Sequence, residues 1–315
     1  MNTPSILVRH PSASEYARML RERYPDLCIE IAEEDRLGEQ IARADVMLSL
    51  RFPAQCVKHA KGLRWFQATG AGVDSAIPVA AYLPGMVITN ARGMHGDVIA
   101  DYVLTGIAML KWNVRQMFID QADKRWVGKS VAPLSAMTIG VIGLGAIGGE
   151  ISRRAKSAGM TVIGFRKNVA APTEHVDEVY STDSLREVLG RCDAVVLAVP
   201  KTPHTVGMIG LEELASMKRD AVLLNISRGD IIREKELIDA LQSGTIGGAM
   251  LDVFQQEPLP QDNPLWEMSN VIVTPHMAGG ATDYIQRMLA IFCDNLDRFR
   301  TGQPLRNVID PMRGY

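Results

Sequence analysis

The chain has 315 residues, which is long for a single hydrophobic core and predicts two domains. Its composition, 47% hydrophobic and 22% charged with a net charge of −2, is that of an ordinary globular protein and favours neither nucleic acid nor a membrane surface as partner. We see no secretory signal, no apolar run of the roughly 20 residues that a membrane span needs and no cysteine pair for a metal, so we expect a cytoplasmic protein with free thiols and no metal ion.

Short apolar runs alternate with amphipathic stretches along the chain, which is typical of α/β architecture. In the first third, a helix is predicted over SASEYARMLRERY, where a serine is available as N-cap. Five strands are predicted around it: SILVRH, LCIEIA, DVMLSL, LRWFQAT and MVIT. Together these elements predict a small parallel-sheet domain.

Residues 97–120 predict one long helix, because apolar side chains recur at helical spacing between Val98 and Met117. The apolar positions occupy more than one stripe of this helix. We therefore expect it to be buried between domains or against a second subunit.

From residue 138 onward six further strands are predicted, each continuously apolar, as expected for strands buried on both faces of a parallel sheet. They are TIGVIG, TVIGF, AVVLAV, AVLLNI, GAMLDV and VIVT. A last helix, from near Thr282 to near Gly302, would return the chain to the first domain. The prediction is thus an α/β fold: a doubly wound Rossmann domain, residues 99–285, inserted into a smaller flavodoxin-like substrate domain, residues 1–98 and 286–315.

The stretch TIGVIGLGAIGGEIS predicts a nucleotide-binding turn. Gly143, Gly145 and Gly148 fit the GxGxxG spacing, follow a strand and open a helix that ends near Gly159. Their expected roles are a tight turn, close approach of a pyrophosphate, and close packing of helix on strand, respectively. The alternative is a glycine-rich turn without a ligand.

The next strand predicts the choice between the two nicotinamide dinucleotides. NAD sites usually carry Asp or Glu at its end to bind the ribose 2′-hydroxyl, whereas here Arg166 and Lys167 follow it. Because arginine and lysine attract a 2′-phosphate, we predict a preference for NADP(H), with NAD(H) as a second cofactor. The alternative is a pair of solvated surface cations.

Chemically active residues follow the last three predicted strands, at the edge where open α/β sheets bind ligands. Arg228 could bind the carboxylate of a 2-oxo acid and polarise its carbonyl, and His276 could supply the proton near neutral pH. Glu257 would then hold the imidazole tautomer and favour its protonated form. Asp252 could bind the nicotinamide carboxamide.

At these residues the sequence resembles the D-isomer-specific 2-hydroxyacid dehydrogenase family, over nearly the whole chain and most densely from 138 to 280. The motifs that carry the resemblance are GLGAIG, LAVPKTPHT, LLNISRGDIIREKELIDAL, GAMLDVFQQEPLP and NPLWEMSNVIVTPHMAGG. It implies a homodimer and the catalytic set Arg228, Glu257 and His276. Further residues of these motifs are expected at the cofactor: Ala146, Ile147, Val199, Pro200, Thr205 and Ile226.

The resemblance also concerns the first domain, in which a glycine-rich loop of the family offers backbone N–H groups to the substrate carboxylate. ATGAGVD resembles that loop, so Ala71 and Gly72 are expected to bind substrate. Where many members have Asn-Thr-Pro, this chain has NARG, which makes Arg92 either a second cation for a larger or more acidic substrate or a solvent-facing residue. Trp126 either closes over a small substrate or packs ordinarily.

We therefore expect an NADP(H)-preferring enzyme that interconverts small 2-oxo acids and D-2-hydroxy acids, as the glyoxylate and hydroxypyruvate reductases of this family do. One alternative is an NAD-dependent dehydrogenase of formate or phosphite. Formate dehydrogenases carry Gln in the place of Glu257, which counts against it. The other alternative is a nucleotide-sensing protein resembling the corepressors of this fold, although a sensor would not need the complete catalytic set.

Overall fold

The computed structural model describes residues 3–171 and 173–314. The chain divides into two compact units. Unit 1 comprises Met1–Met94 and Thr282–Tyr315, and unit 2 comprises His95–Ala281. Each boundary lies four residues before the position expected from the sequence. At the first boundary the reason is that the first helix of unit 2 already begins at Gly96.

Unit 1 contains the five parallel strands that the sequence predicts. They are β1 (Ile6–Arg9), β2 (Ile29–Ile31), β3 (Val46–Ser49), β4 (Trp65–Ala68) and β5 (Val87–Thr89), with helices α1 (Ala13–Arg23), α2 (Leu37–Arg43) and α3 (Ile77–Ala80) between them. The sheet order β2-β1-β3-β4-β5 is the flavodoxin-like order that was expected. Ser12 does occupy the N-cap of α1, but its side chain makes no capping hydrogen bond.

Unit 2 contains a second, larger parallel sheet. Its helices are α4 (Gly96–Lys111), α5 (Val114–Ala122), α6 (Ala146–Ser157), α7 (Leu185–Val188), α8 (Leu211–Ser216) and α9 (Glu234–Gln242). Its strands are β6 (Thr138–Ile142), β7 (Thr161–Phe165), β8 (Glu178–Tyr180), β9 (Ala194–Leu197), β10 (Val222–Asn225), β11 (Gly248–Leu251) and β12 (Val271–Val273). The order β12-β11-β10-β9-β6-β7-β8 is doubly wound, with the reversal between β9 and β6.

Helix α10 (Tyr284–Thr301) returns the chain to unit 1, as the sequence predicts. It packs its buried face on the first sheet, where Phe292 stacks on Trp65 with ring centroids 5.0 Å apart. The helix ends at Gly302, whose φ of 70° provides a left-handed C-cap.

Two sequence predictions in unit 2 were wrong. The single helix over 97–120 is two helices, because Asn113 adopts a left-handed conformation with φ 54° between α4 and α5. Asparagine tolerates this conformation, and its side chain does not interrupt the apolar pattern on either side. Strand β8 was missed, since it is three residues long and each of them is partly exposed, so it leaves no apolar run.

Candidate active site

The glycine-rich turn connects β6 to α6 at the point where the strand order of the sheet reverses. Gly143 has a φ of +99°, and a Cβ there would lie 2.5 Å from the Ala198 carbonyl oxygen. A Cβ on Gly148 would lie 1.8 Å from the carbonyl oxygen of Gly143, so the helix can approach the turn only with glycine at this position. A Cβ on Gly145 would meet nothing within 4 Å.

Open space at Gly145 is what a bound pyrophosphate requires. The exposed Gly145 and Ala146 begin α6, whose first-turn N–H groups have no intrahelical acceptor and carry the positive end of the helix dipole. Ile147 lies in the same turn. The turn therefore fits a dinucleotide, which these amides would hold by its pyrophosphate.

Other residues expected at the cofactor lie at the carboxyl edge of the same sheet. Val199 and Pro200 follow β9, and a Cβ on Gly143 would lie 2.9 Å from Val199 Cγ1. The Thr205 hydroxyl donates to the Pro200 carbonyl oxygen at 2.7 Å, which closes that loop. Ile226 directly follows β10 and is almost fully buried.

The two cations at the end of β7 have different surroundings. Arg166 is half-buried, its Nη1 lies 3.5 Å from Thr173 Oγ1, and it lines a cavity of about 280 Å³ beside the glycine-rich turn. Lys167 is exposed. Arg166 thus stands at the end of the second strand of the doubly wound sheet, where the adenine ribose binds in this fold.

His276 and Glu257 form a hydrogen-bonded pair. Nδ1 of His276 lies 2.8 Å from Oε2 of Glu257, and Oε1 of the same carboxylate accepts the backbone N–H of Phe254 at 3.1 Å. An ionised carboxylate only accepts, so Nδ1 carries a hydrogen and Nε2 remains for a proton exchanged with substrate. The imidazole is 48% exposed and thus accessible from solvent.

Arg228 lies in a loop that packs directly on the loop of this pair. A Cβ on the neighbouring Gly229 would fall 1.9 Å from the Phe254 carbonyl carbon, so the two backbones touch. The buried Asn225 fixes the loop through its amide, which donates to the Arg228 carbonyl oxygen at 2.9 Å and accepts the N–H of Ser227 at 3.1 Å. The loop carrying arginine and the loop carrying glutamate therefore meet at the carboxyl edge of the sheet.

Asp252 is buried, with 2% of its surface exposed, and both of its carboxylate oxygens bind the histidine loop. One oxygen accepts the Thr274 hydroxyl at 2.6 Å and the Met277 N–H at 2.8 Å, and the other accepts the Ala278 N–H at 2.9 Å. A contact of Asp252 with the nicotinamide carboxamide stays a prediction. In this structure the carboxylate anchors the backbone on both sides of His276.

Tyr102 extends this network and was not found from the sequence. Its hydroxyl lies 2.6 Å from Thr274 Oγ1, and burial raises the pKa of Tyr102 above its ordinary value, so the hydroxyl stays protonated. Since the Thr274 hydroxyl donates to Asp252, Thr274 accepts from Tyr102. In the sequence, the helical pattern identified Tyr102 only as an apolar position of the predicted helix. No motif or pattern pointed to a role for Asn225.

The residues expected to bind substrate from the first domain lie in unit 1. The loop of Ala71 and Gly72 is held by Asn90, whose side-chain N–H donates to the Ala71 carbonyl oxygen at 2.6 Å. Arg92 is exposed, and its backbone N–H donates to Asn90 Oδ1 at 3.2 Å. Trp126, in unit 2, is fully exposed, so the expectation that it packs ordinarily does not hold within this chain.

A doubly wound parallel sheet with this glycine-rich turn defines the class of dinucleotide-binding α/β proteins. Within it, the model of the D-isomer specific 2-hydroxyacid dehydrogenase NAD-binding domain matches residues 104–278. The chain belongs to the D-isomer-specific 2-hydroxyacid dehydrogenase family, as the resemblance predicted.

Individual relatives extend the similarity beyond one domain. The chain is 32% identical to the glyoxylate reductase of Korarchaeum cryptofilum, over 86% of this chain and 84% of that protein. It is 32% identical to the D-3-phosphoglycerate dehydrogenase of Methanocaldococcus jannaschii over 97% of its residues, but spans only 59% of that relative's length.

A solved structure shows the same arrangement of elements. The NADPH-dependent glyoxylate/hydroxypyruvate reductase of Sinorhizobium meliloti, in complex with NADP and sulfate, superposes with a TM-score of 0.89 at 26% identity. The alignment covers 99% of this chain and all of that one. Among residues 3–171 and 173–314, no helix is both long and apolar enough to cross a membrane.

Proposed function

We propose that this member of the family reduces small 2-oxo acids to D-2-hydroxy acids, in the manner of a glyoxylate or hydroxypyruvate reductase, and prefers NADPH to NADH. The observation that carries the proposal is the hydrogen bond between His276 and Glu257, on a loop that packs against the loop of Arg228. This arrangement offers a cation for a carboxylate and a proton donor for a carbonyl at one edge of the sheet.

Each residue of the set has a distinct part in the proposed reduction. Arg228 binds the substrate carboxylate and draws electron density from the carbonyl through its guanidinium fork. Nε2 of His276 gives its proton to the carbonyl oxygen as that oxygen gains negative charge, and Glu257 stabilises the imidazolium beforehand. For Ala71 and Gly72 of unit 1, the role implied by the resemblance, binding of a carboxylate by backbone N–H groups, stays a proposal. A dihydronicotinamide, when bound, would supply the hydride.

The proposed cofactor preference rests on Arg166. A guanidinium at the end of β7 attracts a phosphate on the adenosine ribose, and no carboxylate directly follows that strand to repel it or to bind a free 2′-hydroxyl. Relatives that bind NADP, such as the Sinorhizobium meliloti reductase, support the same preference.

The test is a turnover assay of the pure protein with NADPH and with NADH against glyoxylate, hydroxypyruvate, pyruvate, phenylpyruvate and 2-oxoisocaproate. We expect turnover with NADPH favoured, and we expect Arg166→Asp to move the preference towards NADH. An unchanged cofactor ratio in the variant would remove the role of Arg166. Tight cofactor binding without turnover of any 2-oxo acid would instead favour a nucleotide sensor.

A further inference from the structure

The cavity beside the glycine-rich turn is lined by two basic side chains besides Arg166. It has a volume of about 280 Å³. Leu144 of the glycine-rich turn and Gly149 of the first turn of α6 line one side of it. Arg166 reaches it from the end of β7, Arg153 from the second turn of α6, and His175 from the segment before β8. Three side chains that can carry positive charge thus line one small cavity.

Arg153 is held in a fixed orientation. Its Nε donates to Glu150 Oε2 at 2.8 Å and its Nη2 to Glu150 Oε1 at 2.6 Å, a two-point contact within one turn of α6. These bonds hold the pKa of Glu150 below its usual value, so the carboxylate stays ionised and keeps the guanidinium in place. Within residues 3–171 and 173–314, Nη1 of Arg153 has no hydrogen-bond partner and remains available as a donor.

His175 stands in a backbone conformation that histidine rarely adopts. Its φ is +61°, a left-handed value that glycine and asparagine reach more easily. Asp177 anchors the segment on β7: its N–H donates to the Val162 carbonyl oxygen at 2.9 Å, and its carboxylate accepts the Val162 N–H at 2.8 Å. The imidazole, 45% exposed, is thus held at the cavity by a constrained backbone.

Two carboxylates line the cavity, and one of them is paired with arginine. Glu150 is paired with Arg153 and, at 3.3 Å, with Arg154, while Glu174 is highly exposed and lies 3.9 Å from His175 Nε2. Within residues 3–171 and 173–314, the side chain of Arg166 makes only the long hydrogen bond to Thr173, so its guanidinium can bind a stronger partner. The two lining arginines balance Glu150 and Glu174 in formal charge, but among the described residues Arg166 has no carboxylate partner. Arg166 can therefore bind an anion at the end of β7, where the adenosine ribose of a bound dinucleotide lies in this fold.

We propose that Arg153 and His175 complete, with Arg166, a pocket for the 2′-phosphate of NADPH, and that both are specificity-determining residues. The inference rests on the NADP preference proposed above and extends it to two residues far apart in the sequence. Arg153 contributes the Nη1 donor of a guanidinium that Glu150 holds in place, and His175 contributes a third donor. Discrimination against NADH then depends on all three groups rather than on the residues after β7 alone.

The experiment measures binding without turnover, by calorimetric titration of the full chain with 2′,5′-ADP, 5′-AMP and inorganic phosphate. The variants are Arg153→Gln, and His175→Asn, which removes the imidazole but suits the left-handed backbone. Arg153→Lys keeps the positive charge but loses the two-point contact with Glu150. This variant keeps the inference testable if Arg153→Gln does not fold. Arg219→Gln, at an exposed arginine of unit 2 that does not line the cavity, is the control.

We expect the Arg153→Gln and His175→Asn variants to weaken 2′,5′-ADP binding by about tenfold or more, the usual size of a lost hydrogen bond to a charged group. Binding of 5′-AMP should stay at the wild-type value in both, Arg153→Lys should fall in between, and Arg219→Gln should match wild type. If wild type prefers 2′,5′-ADP and both variants keep that preference, this inference is overturned and the proposed NADP preference stands.

Two other outcomes are distinguishable from that one. Equal binding of 2′,5′-ADP and 5′-AMP by wild type would defeat the NADP preference itself, and this inference with it. Inorganic phosphate that competes as strongly as 2′,5′-ADP would show that the pocket is a site for free phosphate, which also overturns the assignment.

Discussion

The imidazole of His276 is fixed through both its side chain and its backbone. The residue has a φ of +51°, a left-handed conformation that costs about 1–3 kcal/mol for most side chains. The backbone N–H of His276 donates to the Asp252 carbonyl oxygen at 2.9 Å, and the Asp252 carboxylate binds the two residues that follow His276. These bonds hold the strained turn and keep Nδ1 facing Glu257.

We expect His276→Ala to lower kcat for reduction by about 10²–10⁴, the usual contribution of a positioned general acid. Cofactor binding should survive, because the glycine-rich turn and the Arg166 cavity lie elsewhere in unit 2. Steady-state kinetics and a separate nucleotide titration check both parts, with His204→Ala, at an exposed histidine, as the control. A kcat near the wild-type value would refute the role of general acid.

Glu257→Gln tests the carboxylate while keeping an acceptor for the Phe254 N–H. The carboxylate makes a hydrogen bond to Nδ1 of His276, and glutamine keeps the size of the side chain but not its charge. We therefore expect kcat for reduction to fall by about tenfold or more, the usual size of a lost hydrogen bond to a charged group, as measured by steady-state kinetics.

The matched control for this change is Glu267→Gln, at an exposed glutamate outside the pair, which should leave kcat at the wild-type value. A wild-type kcat in Glu257→Gln would mean that the charge of this carboxylate has no part in the reaction.

At the scale of the elements, the turn between β6 and α6 has two glycines in different surroundings, one tightly packed and one next to open space. Gly148 faces the backbone of Gly143, whereas Gly145, with an ordinary φ of −84°, faces open space. The same methyl group added at the two positions should therefore separate folding from ligand binding.

We expect Gly148→Ala to lower the free energy of unfolding by about 1–3 kcal/mol, as overpacking usually does. Gly145→Ala should change it by less than about 0.5 kcal/mol and weaken nucleotide binding, because the methyl fills the space of the pyrophosphate. Chemical denaturation and nucleotide titration of the two variants make the comparison. Equal losses of stability in both variants would contradict it.

The elements also show which parts of the fold the sequence pattern is enough to predict. Strands such as β9 and β10, buried on every residue, leave continuous apolar runs and were predicted correctly. Residues that follow such strands meet at one edge of a parallel sheet, so Arg228, Glu257 and His276 could be chosen from the sequence alone. Short, half-exposed β8 could not be found, and the left-handed Asn113 left the apolar period intact.

The cavity beside the turn illustrates what no pattern predicts. Arg153 belongs to a helix and His175 to an irregular segment 22 positions later, and only the tertiary structure brings them to one cavity. Asp252 is a similar case. Its position after β11 predicts a contact with the cofactor, which stays a prediction, but gave no indication of its observed partners on the loop after β12.

At the scale of the whole molecule, unit 2 exposes an apolar surface that a single chain leaves uncovered. None of the residues of α5 is buried, and Phe118 and the nearby Trp126 and Val127 are exposed by 62%, 102% and 65%. Patches of this kind mark protein interfaces, and the helical pattern of this region predicted burial either between domains or against a second subunit. We therefore propose a homodimer in which α5 contributes to the contact.

Phe118→Glu should convert the dimer to a monomer, because burying a carboxylate in an apolar interface is unfavourable. Sedimentation velocity over a range of concentrations measures the change. Val169→Glu, at an exposed valine elsewhere in unit 2, should leave the dimer intact. A wild-type protein that sediments as a monomer at all concentrations would overturn the proposal.

The return of α10 to unit 1 also affects how the protein folds during its synthesis on the ribosome. Trp65 is synthesised 227 positions before Phe292, the ring on which it stacks. At roughly 5–20 residues per second, the part of the first sheet that α10 covers, around Trp65, stays exposed for about 10–50 s while all of unit 2 is made. During that interval the nascent chain presents this apolar area to chaperones, and unit 2 can complete its own core before unit 1 does.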